Sequence, residues 1–361
     1  MTSHNPRPGR RRSLLLIAAI VVMAGVVGGA IGAIINSPAG SSTAAKAAVG
    51  CSVTTVANEV LPSVVTISAA GNGEGGSGSG ELIRSDGYIL TNNHVIGPAV
   101  NGGSVRVLFG DGRSAQAAIV GRDPLTDVAV LKVQPESDMK TIRLGSSASL
   151  QVGQPVVAVG APLGLSGTVT SGIVSALDRT VEVPGEANRS ALLVSAVQTD
   201  AAINPGNSGG ALVNCSGELV GVPTAGAGVP SPSGAPTGGN IGLGFAIPVD
   251  LANSIANEII STGRVTHSFF GLETVPIPSA TVPEESTGRG LFVVDVAPGG
   301  PAAHAGLRSG DVITTIEGQP AASNAQLQKL TLTKRPGDVA SVEYQRDGRS
   351  AQAKITLGAQ P

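Results

Sequence analysis

Most of the chain alternates between short apolar runs and clusters of turn residues. Between Val56 and about Ile247, the runs are rich in Val, Ile and Leu, and Gly, Pro, Asn and Asp separate them. This pattern is typical of β-strands, and the lack of a helical period favours barrels or a sandwich. The clearest runs are Val64–Ser68, Tyr88–Thr91, Val105–Phe109, Ala118–Val120, Val128–Val133, Pro155–Val159, Leu192–Ala196 and Leu219–Val222. Gly71–Gly80 and Ala225–Gly239 have few apolar residues and are predicted to be loops.

The hydrophobic period changes after this region. Apolar residues recur every four positions at Leu251, Ile255 and Ile259. Val249–Thr262 is therefore predicted to be a helix whose C-terminus Gly263 caps. We place the end of a first domain, residues 53–264, just after this helix.

A second domain is predicted over residues 267–358. Its helix fits Asn324–Leu332, because Ser323 and Gln326 have the spacing of a capping box. Strands are predicted near Phe269–Val275, Leu291–Val296, Val312–Ile316, Val339–Gln345 and Ala353–Leu357. A polar loop is predicted at 281–288.

A long uncharged apolar run lies near the N-terminus, from Leu14 to Ile35. As a helix it would span about 33 Å at ~1.5 Å per residue, enough for the core of a bilayer. The arginines before it should stay in the cytoplasm. We therefore expect a cytoplasmic segment at 1–13, a transmembrane anchor at 14–35 and a linker at 36–52, with everything after the anchor outside the cell membrane. Cleavage of the run as a secretory signal is the alternative.

Composition narrows the possible partners. The 361 residues carry a net charge of −2, and no basic stripe occurs outside the N-terminus, so nucleic acid is not an expected partner. No metal-ligand cluster and no phosphate loop are visible, so no metal or other cofactor is predicted. Cys51 and Cys215 would lie in an oxidising compartment, where they either form one disulfide or remain two thiols.

Three segments carry side chains suited to acyl transfer, and they follow in the order His94, Asp127, Ser208. A serine hydroxyl is a weak nucleophile, so His94 would remove its proton while Asp127 orients the imidazole. The order is that of chymotrypsin-type double barrels. Small residues let the chain turn sharply at the serine, which predicts an oxyanion hole formed by Gly206, Asn207 and Ser208.

Together these segments resemble the HtrA/Deg family of trypsin-like serine proteases with one C-terminal PDZ domain. The resemblance covers residues 56–357 and rests on GYILTNNHVI (87–96), DPLTDVAVLKV (123–133), TSGIVSAL (170–177), QTDAAINPGNSGGALV (198–213) and IGLGFAIPVD (241–250). The amino-acid composition and the expected membrane topology are similar to those of actinobacterial members of this family. The resemblance implies a mainly β chymotrypsin-like double β-barrel, an α+β PDZ domain, and homotrimers or larger assemblies. It also implies ATP-independent cleavage of misfolded or regulatory envelope proteins.

The residues around the serine predict specificity. Ala202 lies six residues before Ser208, where an acid would be needed to bind a Lys or Arg side chain, and Ile203 would line the same pocket. We therefore expect cleavage after small or medium aliphatic residues. Asn207 stands where secreted trypsin-like proteases have an Asp that binds a newly cut N-terminus, so this kind of zymogen activation is not expected.

Three further positions bear on regulation and on departures from the family. Arg179 matches the position that relays the sensor-loop signal in relatives, although a solvated surface arginine is the alternative. Glu81 occupies a position where relatives usually have an apolar strand residue. Pro223 replaces a common Asn in a loop near the cleft.

The second domain is expected to bind peptides by strand addition, with backbone amides holding a terminal carboxylate. The expected carboxylate loop is Phe269, Phe270, Gly271 and Leu272, and Leu327 and Leu330 would lie on the helix that forms the other wall. Hydrophobic C-termini are the expected ligands, either for substrate capture or for activation. A competing hypothesis is a chaperone or scaffold that binds unfolded chains without significant proteolysis, although an intact triad argues against it.

Overall fold

The computed structural model describes residues 51–71, 73–161, 167–184, 190–226, 229–230, 236–237, 240–277 and 290–360. The expected membrane anchor at 14–35 and the polar loop at 281–288 lie outside these ranges. Within the ranges, no helix has the length and hydrophobicity needed to cross a membrane.

Six strands close into a first barrel in the order β1-β2-β3-β6-β5-β4. The chain enters the barrel through helix α1 (Val53–Val60) and a 3₁₀ turn (Leu61–Ser63). The elements that follow, in chain order, are β1 (Val64–Gly71), β2 (Glu74–Arg84), β3 (Tyr88–Thr91), helix α2 (Asn93–Ile96), a 3₁₀ turn (Gly97–Ala99), β4 (Ser104–Leu108), β5 (Ser114–Asp123) and β6 (Val128–Lys132). Fully buried Ile67, Leu82, Ile89 and Leu131 belong to its core. Pairing of Thr91 with Ala129 brings the end of β3 beside the start of β6.

The second barrel follows directly. Its elements are β7 (Arg143–Leu144), a 3₁₀ turn (Ser147–Ser149), β8 (Pro155–Gly160), β9 (Thr168–Pro184), β10 (Ser190–Thr199), β11 (Ala211–Val213), β12 (Glu218–Gly226), β13 (Val229–Pro230), β14 (Pro236–Thr237), β15 (Gly244–Pro248) and helix α3 (Val249–Thr262). Pairing runs β11-β8-β9-β10-β15-β12, and a further β11–β12 pairing closes the ring. Residues of both barrels, such as Leu90 and Val157, share one buried cluster, so the barrels pack against each other.

The prediction of a loop at Gly71–Gly80 is wrong, since most of this segment lies in β2 and pairs along β1. Gly78 and Gly80 are needed because neighbouring atoms lie too close for a side chain at these two positions. A Cβ on Gly80 would lie 2.7 Å from atoms of Ile67 and Ile89, and one on Gly78 would lie 2.9 Å from the Ser208 carbonyl oxygen. A glycine-rich strand therefore lets the second barrel approach the first.

Glu81 is fully buried in β2, and neither of its carboxyl oxygens has a hydrogen-bond partner. Its cross-strand neighbours, Val64 and Leu90, both belong to the apolar cluster between the barrels. Burial of the carboxyl group raises the pKa of Glu81 well above its ordinary value of 4.5. Burial therefore favours the protonated, neutral form of Glu81 at the junction of the two barrels.

We expect Glu81 to make the protein less stable as pH rises. Above pH 4.5 the Glu81 carboxyl group loses its proton in the unfolded chain but keeps it in the folded protein. The contribution of this group to the free energy of unfolding is therefore full below pH 4.5, and it is lost as pH rises toward the raised pKa of the folded state. The slope is up to about 1.4 kcal/mol per pH unit. Urea unfolding between pH 5 and 8 should show this slope in the natural protein and not in Glu81→Met. Glu74→Gln, an exposed position in the same strand, is the control, and equal slopes in all three proteins would contradict the prediction.

The C-terminal region forms a separate sheet with two helices. Its elements are β16 (Ser268–Phe269), β17 (Leu272–Pro276), β18 (Leu291–Val296), α4 (Pro301–His304), β19 (Val312–Ile316), β20 (Gln319–Pro320), α5 (Asn324–Thr333), β21 (Val339–Arg346), β22 (Arg349–Thr356) and β23 (Gly358–Ala359). The main sheet runs β17-β18-β19-β21-β22, while β16 pairs with β23. Leu291 and Ile313 are among the fully buried core residues.

A disulfide joins Cys51 to Cys215, with 5.0 Å between their Cα atoms and a sequence separation of 164. It links the start of α1 to the turn between β11 and β12. A cross-link of this kind typically stabilises a domain by about 2–4 kcal/mol, mainly by restricting the unfolded chain.

Candidate active site

His94 and Asp127 lie together at the cleft side of the first barrel. The imidazole Nδ1 of His94 is 2.8 Å from Oδ2 of Asp127, and the His94 backbone amide donates to Oδ1 at 2.9 Å. The His94 side chain is 43% exposed, whereas that of Asp127 is 7% exposed. One carboxylate therefore fixes both the backbone and the ring of His94, while the opposite ring edge remains accessible.

Asp127 adopts a left-handed backbone conformation, with φ of 58°. Such a conformation is costly for a residue other than glycine and persists when surrounding contacts enforce it. The Asp127 carbonyl accepts from the Asn92 side-chain amide at 3.0 Å and from the Asn93 amide at 3.1 Å. The hydroxyl of Thr224 donates to Oδ2 of the carboxylate. These contacts over-determine the position of Asp127.

The environment changes the protonation of His94. Burial disfavours the charged imidazolium, but the hydrogen bond and the negative charge of Asp127 outweigh it, and the pKa of His94 is raised above its ordinary 6.5. A raised pKa makes this imidazole a stronger base. It also means that the neutral form, which can accept a proton, becomes dominant only at a higher pH.

Ser208 lies in a sharp turn between β10 and β11, which contains left-handed glycines at Gly206 (φ 99°) and Gly209 (φ 77°). Its Oγ donates to the Thr224 carbonyl at 3.3 Å rather than to His94. Among the described hydrogen bonds, none uses the amides of Gly206 or Ser208. These two amides are therefore available to a ligand oxygen.

Asn207 does not complete the predicted set of three oxyanion donors. Its amide donates to the Asn204 carbonyl at 2.9 Å, which turns the N–H into the loop. Its side chain is buried and donates to the Ala202 carbonyl at 3.2 Å. Asn207 supports the turn, and the two remaining amides, those of Gly206 and Ser208, form the donor pair.

Two residues that organise this site, Thr224 and Ser79, were not predicted from the sequence. Thr224 contacts both Asp127 and Ser208, and it lies where the β12–β15 pairing shifts register. Ser79 of β2 donates to the Gly206 carbonyl at 2.6 Å and accepts from the Ala161 amide at 2.8 Å. Its own amide donates to the Ser208 carbonyl at 2.8 Å. Neither residue stands in a recognisable motif position, because each reaches the site from a distant strand.

Ala202 and Ile203 lie just before the turn, where sequence predicted the specificity pocket. Ala202 is partly exposed, and its carbonyl accepts from Thr170 at 2.9 Å. Ile203 is 4% exposed and packs so close to Gly244 that a Cβ there would lie 2.5 Å from it. Pro223, an expected source of altered loop geometry, still accepts the Gly209 amide at 2.9 Å through its carbonyl.

The expected carboxylate loop links β16 to β17. Gly271 is left-handed (φ 71°), and its carbonyl accepts from Ala297 at 3.0 Å. Phe270 is buried. Strand β17 is at the edge of the described sheet, and Asn324 at the start of α5 joins it through two hydrogen bonds with Thr274 of 2.7 and 2.8 Å. An edge strand beside a helix is the geometry that strand addition requires.

Arg179 is exposed and lies opposite Ala196 in the β9–β10 ladder. The neighbouring Asp178 makes the contact with the C-terminal region, an ion pair with Lys329 of α5. The signalling role expected for Arg179 stays a prediction.

Comparison with known proteins agrees with this architecture. The sequence model of the trypsin-like peptidase domain family matches residues 78–222, and that of the PDZ domain family matches residues 270–357. Serine protease PepD of Mycobacterium tuberculosis is 43% identical over 382 aligned positions, which cover 99% of this chain and 80% of PepD. The pH-dependent serine endoprotease DegQ of Escherichia coli is 40% identical, over 78% of this chain and 59% of DegQ.

A solved structure of the HtrA-type protease AlgW with a decapeptide has a TM-score of 0.66 and 33% sequence identity. The match covers 86% of this chain and 99% of the AlgW chain. A serine endoprotease from Yersinia pestis matches with a TM-score of 0.62. Sequence and fold thus point to the same group of proteins.

Proposed function

Because the chain belongs to the HtrA family of trypsin-like serine proteases, we propose that it is a membrane-tethered extracytoplasmic endopeptidase that cuts misfolded or regulatory envelope proteins. The observation that carries the proposal is the His94–Asp127 pair, 2.8 Å apart, across the cleft from a serine turn with two available amides. The catalytic roles of His94, Asp127 and Ser208 follow from this arrangement.

The first half of the reaction forms an acyl-enzyme. Rotation of the Ser208 side chain away from the Thr224 carbonyl would let Oγ donate to Nε2 of His94. As Oγ bonds to the substrate carbonyl carbon, its proton passes to His94, and Asp127 stabilises the resulting imidazolium. The carbonyl oxygen becomes an oxyanion that the amides of Gly206 and Ser208 bind. The peptide C–N bond then breaks as His94 gives its proton to the leaving amine.

The second half returns the enzyme to its starting state. Water loses a proton to His94 while its oxygen bonds to the acyl carbon, which forms a second oxyanion at the same two amides. The bond to Oγ breaks, Ser208 regains a proton from His94, and the carboxylic acid product leaves. One hydrolysis therefore takes four proton transfers, from Ser208 to His94 and on to the leaving amine, then from water to His94 and on to Ser208.

Ser79 should affect the rate of this reaction more than substrate binding. Ser79→Ala removes the hydrogen bond to the Gly206 carbonyl, so we expect the oxyanion amides to lose alignment and kcat to fall about 10- to 100-fold with little change in KM. Kinetics on a quenched-fluorescent peptide measure both constants.

A matched control is Thr66→Val. Thr66 is the cross-strand partner of Ser79 and donates to the Ala161 carbonyl at 2.9 Å without touching the serine turn. Equal losses of kcat in the two variants would mean that the contact with Ala161, and not the oxyanion turn, accounts for the effect.

The pocket residues predict cleavage after small or medium aliphatic residues such as Val or Ala. Ala202 offers no charge to a substrate Lys or Arg, and the neighbouring Ile203 is apolar and buried. Digestion of a peptide library and of casein by the full-length protein in detergent, with sequencing of the new C-termini, tests both proteolysis and this preference. A profile dominated by Lys and Arg would contradict the pocket assignment, and the absence of any new terminus would favour the chaperone hypothesis.

We further propose that the PDZ domain binds hydrophobic C-termini in the space between β17 and α5. The left-handed Gly271 and the place of β17 at the edge of its sheet support this, and the structural relative AlgW was solved with a decapeptide. A fluorescent peptide with an apolar C-terminus should bind the full-length protein more tightly than the same peptide with an amidated terminus. Equal affinities would argue against carboxylate recognition.

Tethering by residues 14–35 and assembly into trimers or larger complexes complete the proposal. The uncharged run behind a basic flank supports the tether. Cell membranes washed with alkaline carbonate should retain the full-length chain and lose a variant without 14–35. Recovery of a natural chain that begins after residue 47 would instead indicate a cleaved signal. Light scattering of the detergent-purified protein measures the assembly.

A further inference from the structure

His267 lies in the link between α3 and the PDZ domain, and its side chain is 9% exposed. Its Nε2 is 2.9 Å from both carboxylate oxygens of Asp123. Asp123 is itself buried, with a side chain that is 4% exposed. The mechanism above uses neither residue, although a buried hydrogen bond to a carboxylate is among the stronger polar interactions in a protein.

Asp123 organises the turn that carries the proposed catalytic aspartate. It pairs with Val128 at the junction of β5 and β6, so the turn consists of the four residues from Pro124 to Asp127. One of its oxygens accepts the Leu125 amide at 3.3 Å, and the other accepts the Thr126 hydroxyl. The same carboxylate that binds His267 therefore shapes the backbone leading into the left-handed Asp127.

The other side of His267 is held by the PDZ domain. Its carbonyl accepts from Gln360 at 2.9 Å, and the next two residues form β16, which pairs with β23. A cavity of about 540 Å³ borders the contact, with Leu251 from the protease domain and Leu332 from the PDZ domain among its lining. His267 is thus held at two points, by the hydrogen bond of its imidazole Nε2 to Asp123 and by that of its backbone carbonyl to Gln360, and not by close packing on all sides.

We infer that His267 is a positioning residue that couples the seating of the PDZ domain to the alignment of Asp127 with His94, through Asp123 and its turn. The inference rests on the proposed function. A displacement of the β16–β23 pair moves His267, releases one side of the Asp123 carboxylate and lets the turn relax. Relaxation at Asp127 then weakens its hold on the imidazole of His94.

Three variants of the full-length protein in detergent test this inference on a quenched-fluorescent peptide. His267→Ala removes the donor, and His267→Gln keeps an amide nitrogen close to the position of Nε2. Arg335→Ala breaks different contacts between the domains, the 2.8 Å hydrogen bond to Ser254 and the ion pair with Glu258, both in α3 and neither touching the turn. Kinetics are measured from pH 5 to 9, at a temperature where all variants are folded.

We expect kcat of His267→Ala to fall about tenfold or more with little change in KM. Because Asp127 is what raises the pKa of His94, the acid limb of kcat/KM should also move to lower pH in this variant. His267→Gln should retain most of the activity and the original limb, and Arg335→Ala should match the natural protein.

The inference is overturned if His267→Ala keeps the kcat of the natural protein and the same acid limb in its pH profile of kcat/KM. It is also overturned if His267→Ala and Arg335→Ala lose activity equally with the limb unmoved, because domain docking alone would then explain the loss. A natural protein that cleaves nothing overturns the proposed function itself. If the natural protein is active and the His267→Ala variant is equally active, only this inference is overturned.

Discussion

Ser208→Ala should lower kcat for peptide hydrolysis by on the order of 10⁶-fold, the largest effect of any single substitution in this chain. Without Oγ no acyl-enzyme can form, and the remaining catalysis comes from the two oxyanion amides and from binding alone. Substitution removes only one hydrogen bond, the 3.3 Å contact with the Thr224 carbonyl. The thermal midpoint of unfolding should therefore change little.

Three measurements on the full-length protein check this expectation. Casein digestion should stop, a fluorophosphonate should label Ser208 in the natural protein and not in the variant, and unfolded casein should still bind to both. Ser216→Ala is a matched control, because Ser216 is an exposed serine of the β11–β12 turn and lies outside the cleft. Equal proteolysis by natural protein and Ser208→Ala would assign the activity to another group or to a contaminant.

Asp127→Asn should lower kcat by about 10⁴-fold. An amide in place of the carboxylate can present an N–H to Nδ1 of His94, which stabilises the tautomer that cannot accept the serine proton. It also removes the negative charge that stabilises the imidazolium. Since Asp127 raises the pKa of His94, the residual activity should have its acid limb at lower pH than the natural protein.

Kinetics of the Asp127→Asn variant between pH 5 and 9 test both parts of this prediction. Asp111→Asn serves as the control, because Asp111 is an exposed carboxylate paired with Arg113 and should leave the rate and the limb unchanged. A loss below about tenfold in Asp127→Asn would show that His94 does not depend on this carboxylate for its orientation.

Local patterns predicted the elements whose stabilising contacts are also local. The helix Val249–Thr262 is confirmed at both ends, because an apolar period of four and a left-handed Gly263 (φ 78°) define it within a few residues. The capping box of Ser323 and Gln326 is present, and its helix extends one residue further than predicted, to Thr333. Family and enzyme class were likewise readable, since the motifs around the triad are contiguous.

The glycine-rich strand β2 shows where local patterns fail. A run of Gly and Ser has low strand propensity, so its pattern predicts a loop. The partner strand β1 and the close approach of Ser208 decide otherwise. Glu81 was visible in the sequence as a departure from the family, but its burial without a hydrogen-bond partner arises only because two barrels close over it.

By itself, the sequence determined the mainly β architecture, the order of the two domains and the candidate triad, because strand periods, turn residues and catalytic motifs are encoded over short stretches. Tertiary structure alone decided which residues support that triad. Thr224 reaches Asp127 across 97 positions, Ser79 reaches Gly206 across 127, and His267 reaches Asp123 across 144. No local period specifies such pairs, because they form only when barrel closure and domain docking bring distant strands together and exclude water from between them.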